Sequence, residues 1–406
     1  MKMKAVNRHV IAGAKIIVFL LLFFAAFSYG MFQGGFVSWF LFFSILPFAL
    51  YALFILFYPV QKIQVMREIA KTDVSEGETV RMKMTVRFPF RSPLFFLTLS
   101  DEMPEKLAKR GRTPYKTLLF AFFKKELAVQ YAIPNITRGE YVFPAVRVYV
   151  ADWFGFVEKS RRIPCEASFL VYPAVVDMVY RPFENYFDQG MAAVRDQVKR
   201  DSTMAVQLRD YQPGDRFSWI HWKATARRNE LMTKEFEQRQ TNDLMIVLDC
   251  SPSGTFDLAV KFTASLIRAV IKKGGQAGLY ACEKERHYFP VQGGVFHKQA
   301  MFYFLAKVED ESAIPWHKQI ENDPVIFLQN INKIFVTTAL REEDIEAIAK
   351  NVSPRGAKLL VCVKGNDEQI SPGDTKLMNL AKSRGIFVKI LREENFANAF
   401  GGGMDR

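Results

Sequence analysis

Leu244-Met245-Ile246-Val247-Leu248-Asp249-Cys250-Ser251-Pro252-Ser253 is the stretch on which the fold turns. Five consecutive apolar residues cannot alternate between a wet face and a dry one, so they read as a strand buried on both faces of a sheet. The run stops at an acidic residue and enters a loop carrying two hydroxyls. Beyond it the sequence predicts a helix over 256–273, a strand over 277–282, a hairpin around Gly293 and Gly294, and a helix over 298–308. A strand at 334–338, a helix at 342–350, a strand at 358–363, a helix at 375–384 and a strand at 386–391 complete the series. Strands alternating with helices define a doubly wound α/β domain over 241–395, followed by a flexible tail at 396–406 that contains Gly401.

In open α/β sheets ligands bind beyond the carboxyl ends of the strands, which is where Asp249, Ser251 and Ser253 stand. A carboxylate and two hydroxyls on one loop are hard oxygen donors suited to Mg²⁺, directly or through water. The D-x-S-x-S spacing resembles the metal ion-dependent adhesion site of von Willebrand factor A domains, which implies an A-like fold with Mg²⁺ as the cofactor. The chain departs from that site at Val336-Thr337-Thr338-Ala339-Leu340, where A domains commonly supply an aspartate and this sequence has no acid. Thr337 or Thr338 would be a weaker substitute. The competing reading is that Asp249 caps the following helix while Ser251 and Ser253 satisfy loop backbone.

Upstream of the buried strand, at 209–240, lies a dense motif that opens Arg209-Asp210-Tyr211-Gln212-Pro213-Gly214-Asp215. Pro213 presets φ for a tight turn and Gly214 supplies a positive φ. Asp215 is placed as the N-cap of a short helix running to Arg228, with Trp219, Trp222, Lys223 and Ala226 on one face and both indoles against a neighbouring element. Asn229 is a left-handed stop, and 231–238 reads as a half-buried edge strand. His221, between apolar neighbours, reads as a structural histidine. The bland reading makes this a packing motif; the sharper one makes Arg209, Tyr211, Pro213, Gly214, Asp215, Trp219, Trp222 and Lys223 an interaction motif.

That run, continued by Ile220-His221-Trp222-Lys223-Ala224-Thr225-Ala226-Arg227, resembles the defining motif of the bacterial "domain of unknown function 58" family. His221 stands where such proteins more usually carry an aspartate. The resemblance covers the chain from about residue 60 to its end. It implies a membrane-tethered protein with a von Willebrand factor A-like domain, of a kind often encoded beside MoxR-type AAA+ ATPases and transglutaminase-like membrane proteins. It implies no established activity.

The 406 residues leave room for two or three domains, and 38 phenylalanines in a half-hydrophobic chain exclude a disordered protein. Apolar runs at 16–29 and 36–60, separated by a short glycine-containing linker, are each near the length that crosses a bilayer. They predict a two-helix transmembrane hairpin over 1–60, with Pro47 tolerable inside the second helix. A signal peptide is the rival reading, but no small-x-small cleavage site precedes a polar mature sequence. Lys2, Lys4, Arg8 and Lys15 before the hairpin and Lys62, Arg67 and Lys71 after it place both termini in the cytoplasm of a multi-pass cell-membrane protein.

From 61 to 175 the pattern changes to short alternating stretches, at 80–86, 126–133 and 141–150, broken by turns. This predicts an antiparallel β-sandwich of the immunoglobulin-like kind, with Arg138 and Trp153 structural. A linker spans 176–208. The net charge of +13 calls for an acidic partner, and 81–130 holds eleven Lys or Arg against four Asp or Glu. Such an excess beside an anchor fits an anionic membrane surface better than nucleic acid. Cys165, Cys250, Cys282 and Cys362 are too widely spaced for a zinc site or disulfide framework.

These features point to a non-enzymatic, membrane-anchored interaction or scaffold protein working with a MoxR-type ATPase in envelope-related assembly or maintenance. The alternatives are a hydrolase using Ser251 or Ser253 with His221 or His287, against which the absence of a G-x-S-x-G elbow counts, and lipid or nucleic-acid binding through the basic β-domain.

Overall fold

The computed structural model describes residues 2–91, 93–109, 111–180, 205–212, 215, 217–236, 243–323, 331–351 and 358–400. They form two compact units, Met1–Tyr172 and Pro173–Arg406.

The first unit opens with α1 (Lys2–Gln33) and α2 (Phe36–Phe57), joined by a turn at Gly34, whose φ of +58° suits glycine. Lys15–Gln33 and Phe36–Phe57 have mean hydropathies of 2.1 and 2.5, yet only 11% and 17% of these stretches are buried. A core helix of that composition would be covered, so both are candidate membrane helices and the protein is membrane-associated. Phe42 seats between Phe23 and Phe27, at 5.5 and 5.6 Å between ring centres, and holds the pair together.

Eight strands follow: β1 (Gln64–Ile69), β2 (Asp73–Ser75), β3 (Val80–Arg87), β4 (Phe96–Asp101), β5 (Lys116–Phe120), β6 (Glu126–Ile133), β7 (Gly139–Ala151) and β8 (Glu158–Tyr172), with the short helix α3 (Glu105–Lys109) between β4 and β5. They make a three-stranded antiparallel sheet, β1-β3-β6, and a five-stranded sheet, β2-β8-β7-β4-β5, in which β2 alone runs parallel to its neighbour. Val65, Met84 and Val86 of the first sheet share one core with Leu97, Leu99, Val146 and Val148 of the second, so the sheets stack as a sandwich. The three strands expected from alternation fall within β3, β6 and β7. Arg138 is buried as expected, whereas Trp153 is 49% exposed. Inside the sandwich the Arg67 guanidinium pairs with Asp101 and donates to the carbonyls of Phe143 (2.9 Å) and Cys165 (2.7 Å), while the Tyr131 hydroxyl donates to the other Asp101 oxygen.

The second unit begins with 173–180, which lies against the α/β core: the Val176 N–H donates to Ser265 Oγ at 2.9 Å, and Tyr180 is buried. Next come β9 (Ala205–Asp210), α4 (Trp222–Arg228) and β10 (Met232–Phe236), with β9 and β10 forming an antiparallel ribbon. The main sheet then takes β11 (Leu244–Leu248), α5 (Phe256–Lys272), β12 (Ala277–Cys282), β13 (Arg286–Gln292), α6 (Val295–Lys307), α7 (Trp316–Asn322), β14 (Asn332–Thr337), α8 (Glu342–Asn351), β15 (Lys358–Val363), α9 (Pro372–Ser383) and β16 (Phe387–Leu391). Its order is β13-β12-β11-β14-β15-β16, parallel except at the β13 edge.

Leu244, Ile246 and Leu248 join a core with α5 and α6 on one face, while Met245 and Val247 meet Trp316, Ile345 and Ala381 on the other. That two-sided burial is why β11 is apolar at every position. The hairpin differs from expectation. Its turn lies at 283–285, between β12 and β13, and Gly294, at φ +108°, instead precedes α6. The expected flexible tail, 396–406, is not free over its first part: Phe396, Ala399 and Phe400 are buried in the core of this unit, and 401–406 lie outside the described residues.

Candidate functional site

The chain leaves β11 for β12 on one side and returns in β14 on the other, so the strand succession reverses between β11 and β14. A crevice opens at the carboxyl ends of strands that diverge in this way. Leu248 pairs with Val336 across this seam, which brings Asp249 and Thr337 together at its mouth.

Asp249 is 3% exposed. Its Oδ1 accepts from the Ser251 N–H at 2.9 Å and the Ser251 hydroxyl at 2.6 Å; its Oδ2 accepts from the Thr337 hydroxyl at 2.8 Å. The Ser251 hydroxyl spends its proton on the carboxylate, whereas Thr337 Oγ1 also stands 2.9 Å from the Ala339 carbonyl and accepts from the Ala339 N–H at 3.2 Å, which leaves it one free lone pair. Ser253 is not part of this cluster. Its Oγ faces Thr255 Oγ1 at 3.1 Å, and its N–H donates to Asp310 at 2.9 Å. Of the three loop residues singled out in the sequence, two converge, and Thr337 completes the set.

A buried acid lies beyond the end of β14, at the start of α8. Asp344, in the first turn of α8, is 2% exposed; its carboxylate faces the His317 backbone N–H, and neither oxygen takes a side-chain hydrogen bond among the described residues. His317 Nδ1 and Arg341 Nη1 each stand 3.9 Å away. Burial first, and then the charge of Asp249, push its carboxyl up to about 7, against the pull of Arg341. Arg341 Nη1 also lies 3.5 Å from Ser251 Oγ, so a guanidinium borders both carboxylates. In sequence Asp344 is one of three acids opening a helix, where acids are common for dipole reasons, and that ordinary explanation conceals it.

Cys250, beside Asp249, is fully buried, and burial pushes its thiol up so that it stays protonated at neutral pH. Among the described residues no group of three or more His, Cys, Asp or Glu side chains is disposed to hold a metal ion.

The upstream motif builds a separate surface. Arg209 forms a two-pronged ion pair with Asp215, both contacts at 2.8 Å, and the Asp215 carboxylate also accepts from the Gln212 N–H at 3.0 Å. Asp215 therefore closes the loop and is not the cap of α4. The cap is His221, whose Nδ1 accepts from the Ala224 N–H at 3.1 Å, so α4 starts only at Trp222. Trp219 ends a preceding 3₁₀ turn, and the expected face of two buried indoles is not formed: α4 has no buried residue, and Trp222 is 65% exposed. Lys223 is exposed beside it. Asn229 does stop the helix in the left-handed conformation, at φ +59°. The Tyr211 N–H donates to the Leu231 carbonyl at 2.8 Å, tying the ends of the loop. Pro213 and Gly214, like 237 and 238, lie outside the described residues.

Two apolar helices, a β-sandwich and an α/β unit with an acidic switch-point crevice define a membrane-associated, multidomain protein. Residues 207–388 match the family described as "Protein of unknown function DUF58". The chain is 33% identical over 385 residues to the uncharacterized Bacillus subtilis protein YeaD, covering 94% of this chain and 96% of that one. The chain belongs to the DUF58 family. Among solved structures, the CARDB domain of a Pyrococcus furiosus protein is 10% identical, covering 27% of this chain and 92% of its own, at a TM-score of 0.20. Cwp6 from Clostridium difficile is also 10% identical, covering 82% of this chain and 53% of its own, at a TM-score of 0.16. Likeness at that level carries no argument.

Proposed function

We propose that this is a membrane-anchored interaction or scaffold protein, not an enzyme, whose α/β unit works as a von Willebrand factor A-like domain and presents the Asp249 crevice to a partner. The hairpin anchors it with both termini in the cytoplasm, and the immunoglobulin-like sandwich joins anchor to presenting domain. The observation that carries the reading is the pairing of an organised carboxylate, Asp249 held by Ser251 and Thr337, with the buried carboxylate of Asp344, whose cationic neighbours His317 and Arg341 stand no closer than 3.9 Å. A buried carboxylate with no close cation avoids the cost of its charge by taking up a proton, and a bound cation would hold it ionised instead.

The donor set fits a hard divalent cation: Asp249 and Asp344 carboxylates with Ser251 and Thr337 hydroxyls. Mg²⁺ bound there would supply an electrophilic position for an acidic side chain of the partner. This chain's residues orient and desolvate that position, and Arg341 stands at its edge as a competing cation. The partner we propose is a MoxR-type AAA+ ATPase, with a transglutaminase-like membrane protein as a second associate in envelope-related assembly. Trp222, Lys223 and the Arg209–Asp215 loop offer the second contact surface.

The test is capture from native membranes under mild crosslinking, with wild type and Asp249→Ala compared side by side. An AAA+ ATPase retained by wild type and lost from the variant, or lost on chelation, is the expected result. Equal capture by both would move the contact away from the crevice and overturn the reading.

A further inference from the structure

The end of the β-sandwich nearest the helices carries an aromatic surface that the anchor alone does not require. Strand pairing fixes which loops share that end: Gln64 pairs with Arg87, Arg87 with Glu126, Phe96 with Phe120, and Ala151 with Glu158. The loops at 88–95, 121–125 and 152–157 are therefore gathered at one end of the sandwich.

The helices place that end relative to a bilayer. From Ile16 to the turn after Gln33, α1 rises about 27 Å at 1.5 Å per residue, close to the ~30 Å of a hydrocarbon core. With the turn at one face of the bilayer, Lys15 lies at the other. Lys15 Nζ donates to the Gly155 carbonyl at 3.0 Å and pairs with Glu158 at 3.2 Å, so the 152–157 loop lies at that level. Its rings reach further in: Phe156 meets Phe19 at 5.1 Å and Phe154 meets Phe48 at 5.2 Å. They close one side of an apolar groove of about 640 Å³ between α1 and α2, a shape that acyl chains fill. The last turns of α2 have already left the bilayer, because Ala52 and Ile55 are buried in the sandwich core and the Tyr51 hydroxyl accepts from the Phe95 N–H at 3.1 Å.

At the same level Phe90, Phe120, Phe123, Trp153 and Phe154 are 45–62% exposed. Ring contacts of Phe95 with Phe122 (4.8 Å) and Trp153 (5.2 Å), and of Phe122 with Phe123 (4.6 Å), join most of this set into one surface. Phe123 is held at φ +54°, a left-handed conformation that non-glycine residues rarely adopt, at the tip of the β5–β6 turn. Lys124, Lys125 and Arg91 are exposed beside it. Aromatic rings flanked by cations suit the boundary between acyl chains and anionic headgroups.

We propose that this aromatic end of the sandwich is seated in the headgroup boundary of the bilayer that holds α1 and α2, with Phe123 and Phe154 inserted and Lys124, Lys125 and Arg91 against lipid phosphates. The surface does not depend on the Asp249 crevice or its partner. The test uses the full chain in vesicles of phosphatidylglycerol and phosphatidylethanolamine, with p-benzoylphenylalanine replacing one residue at a time. Phe40, a lipid-exposed residue of α2, is the positive control. Val142 is the negative control: it lies nine residues along β7 from Ala151, about 30 Å at 3.3 Å per residue. Irradiation followed by mass spectrometry should give phospholipid adducts at Phe123 and Phe154 as at Phe40, and none at Val142. Loss of the Phe123 adduct in Lys124→Glu/Lys125→Glu would be the electrostatic signature. Adducts at Phe40 alone would overturn the proposal, as would crosslinks from Phe123 and Phe154 to another protein or a second copy of the chain.

Discussion

Asp101 in the sandwich and Asp344 in the α/β unit are each 2% exposed, and their surroundings are opposite. Asp101 meets a guanidinium and a phenol; among the described residues Asp344 faces only a backbone N–H, that of His317, with the cationic groups of His317 and Arg341 3.9 Å away. Burial pushes both carboxyls up, but Tyr131 and Arg67 work against it at Asp101, while the neighbouring carboxylate of Asp249 adds to it at Asp344. A buried acid that is fully answered from within belongs to the architecture. One that is answered only at a distance is where the proposed ligand can be tested.

The largest expected effect breaks the answered site. Arg67→Met leaves Asp101 buried without its cation and should destabilise the sandwich by ~3–5 kcal/mol, read as a lost or lowered first transition in thermal unfolding of the detergent-solubilised chain. Arg67→Met/Asp101→Leu should recover most of the loss, because no uncompensated charge remains; an equal loss in single and double variants would break the comparison.

At Asp344 the sign reverses. Its carboxyl titrates at 3.8 when unfolded and at about 7 when folded, so between those values the folded state holds the extra proton. Stability in chelator therefore falls as pH rises across that window. Asp344→Asn should flatten the profile and raise stability at pH 8 on the order of 1–3 kcal/mol, while abolishing stabilisation by Mg²⁺. A destabilised Asp344→Asn with an unchanged pH profile would show the group to be satisfied.

A smaller effect is expected at the edge of the crevice. Arg341→Ala removes a competing cation and should tighten Mg²⁺ binding by about fivefold, the equivalent of ~1 kcal/mol for a partly exposed charge contact. Isothermal titration would detect it, and weaker binding would make Arg341 a support of the site. The smallest change concerns α4: Trp222→Ala should alter stability by less than ~0.5 kcal/mol, since the residue is 65% exposed, while reducing partner capture. A loss of several kcal/mol would restore the core role that helical spacing predicted for it.

The sequence was most legible where burial is dictated by periodicity. The unbroken apolar run 244–248 announced a strand covered on both faces, and each strand and helix expected after it lies within a few residues of the observed one, apart from the misplaced hairpin turn. The helices α1 and α2 were legible for the same reason, since their apolar runs exceed what a short core segment needs. The small elements were harder. α7 carries too few apolar positions for a period to show, and α4 starts at Trp222 because a histidine nitrogen, not an aspartate, takes the free N–H of its first turn. Competing caps a few residues apart differ by only ~1 kcal/mol, too little for sequence to rank.

By itself, then, the sequence determined the succession of elements, the apolar anchor and the position of Asp249 at the end of a buried strand, because each follows from local patterns of polarity. Only the tertiary structure decided which side chains meet there. It brought Thr337 and Asp344 from the neighbouring strand and helix to Asp249, turned Ser253 away to Asp310, and gathered Phe90, Phe123 and Phe154 from three separate loops at one end of a sandwich. The physical reason is that strand order and register, not spacing along the chain, set the distances between these residues.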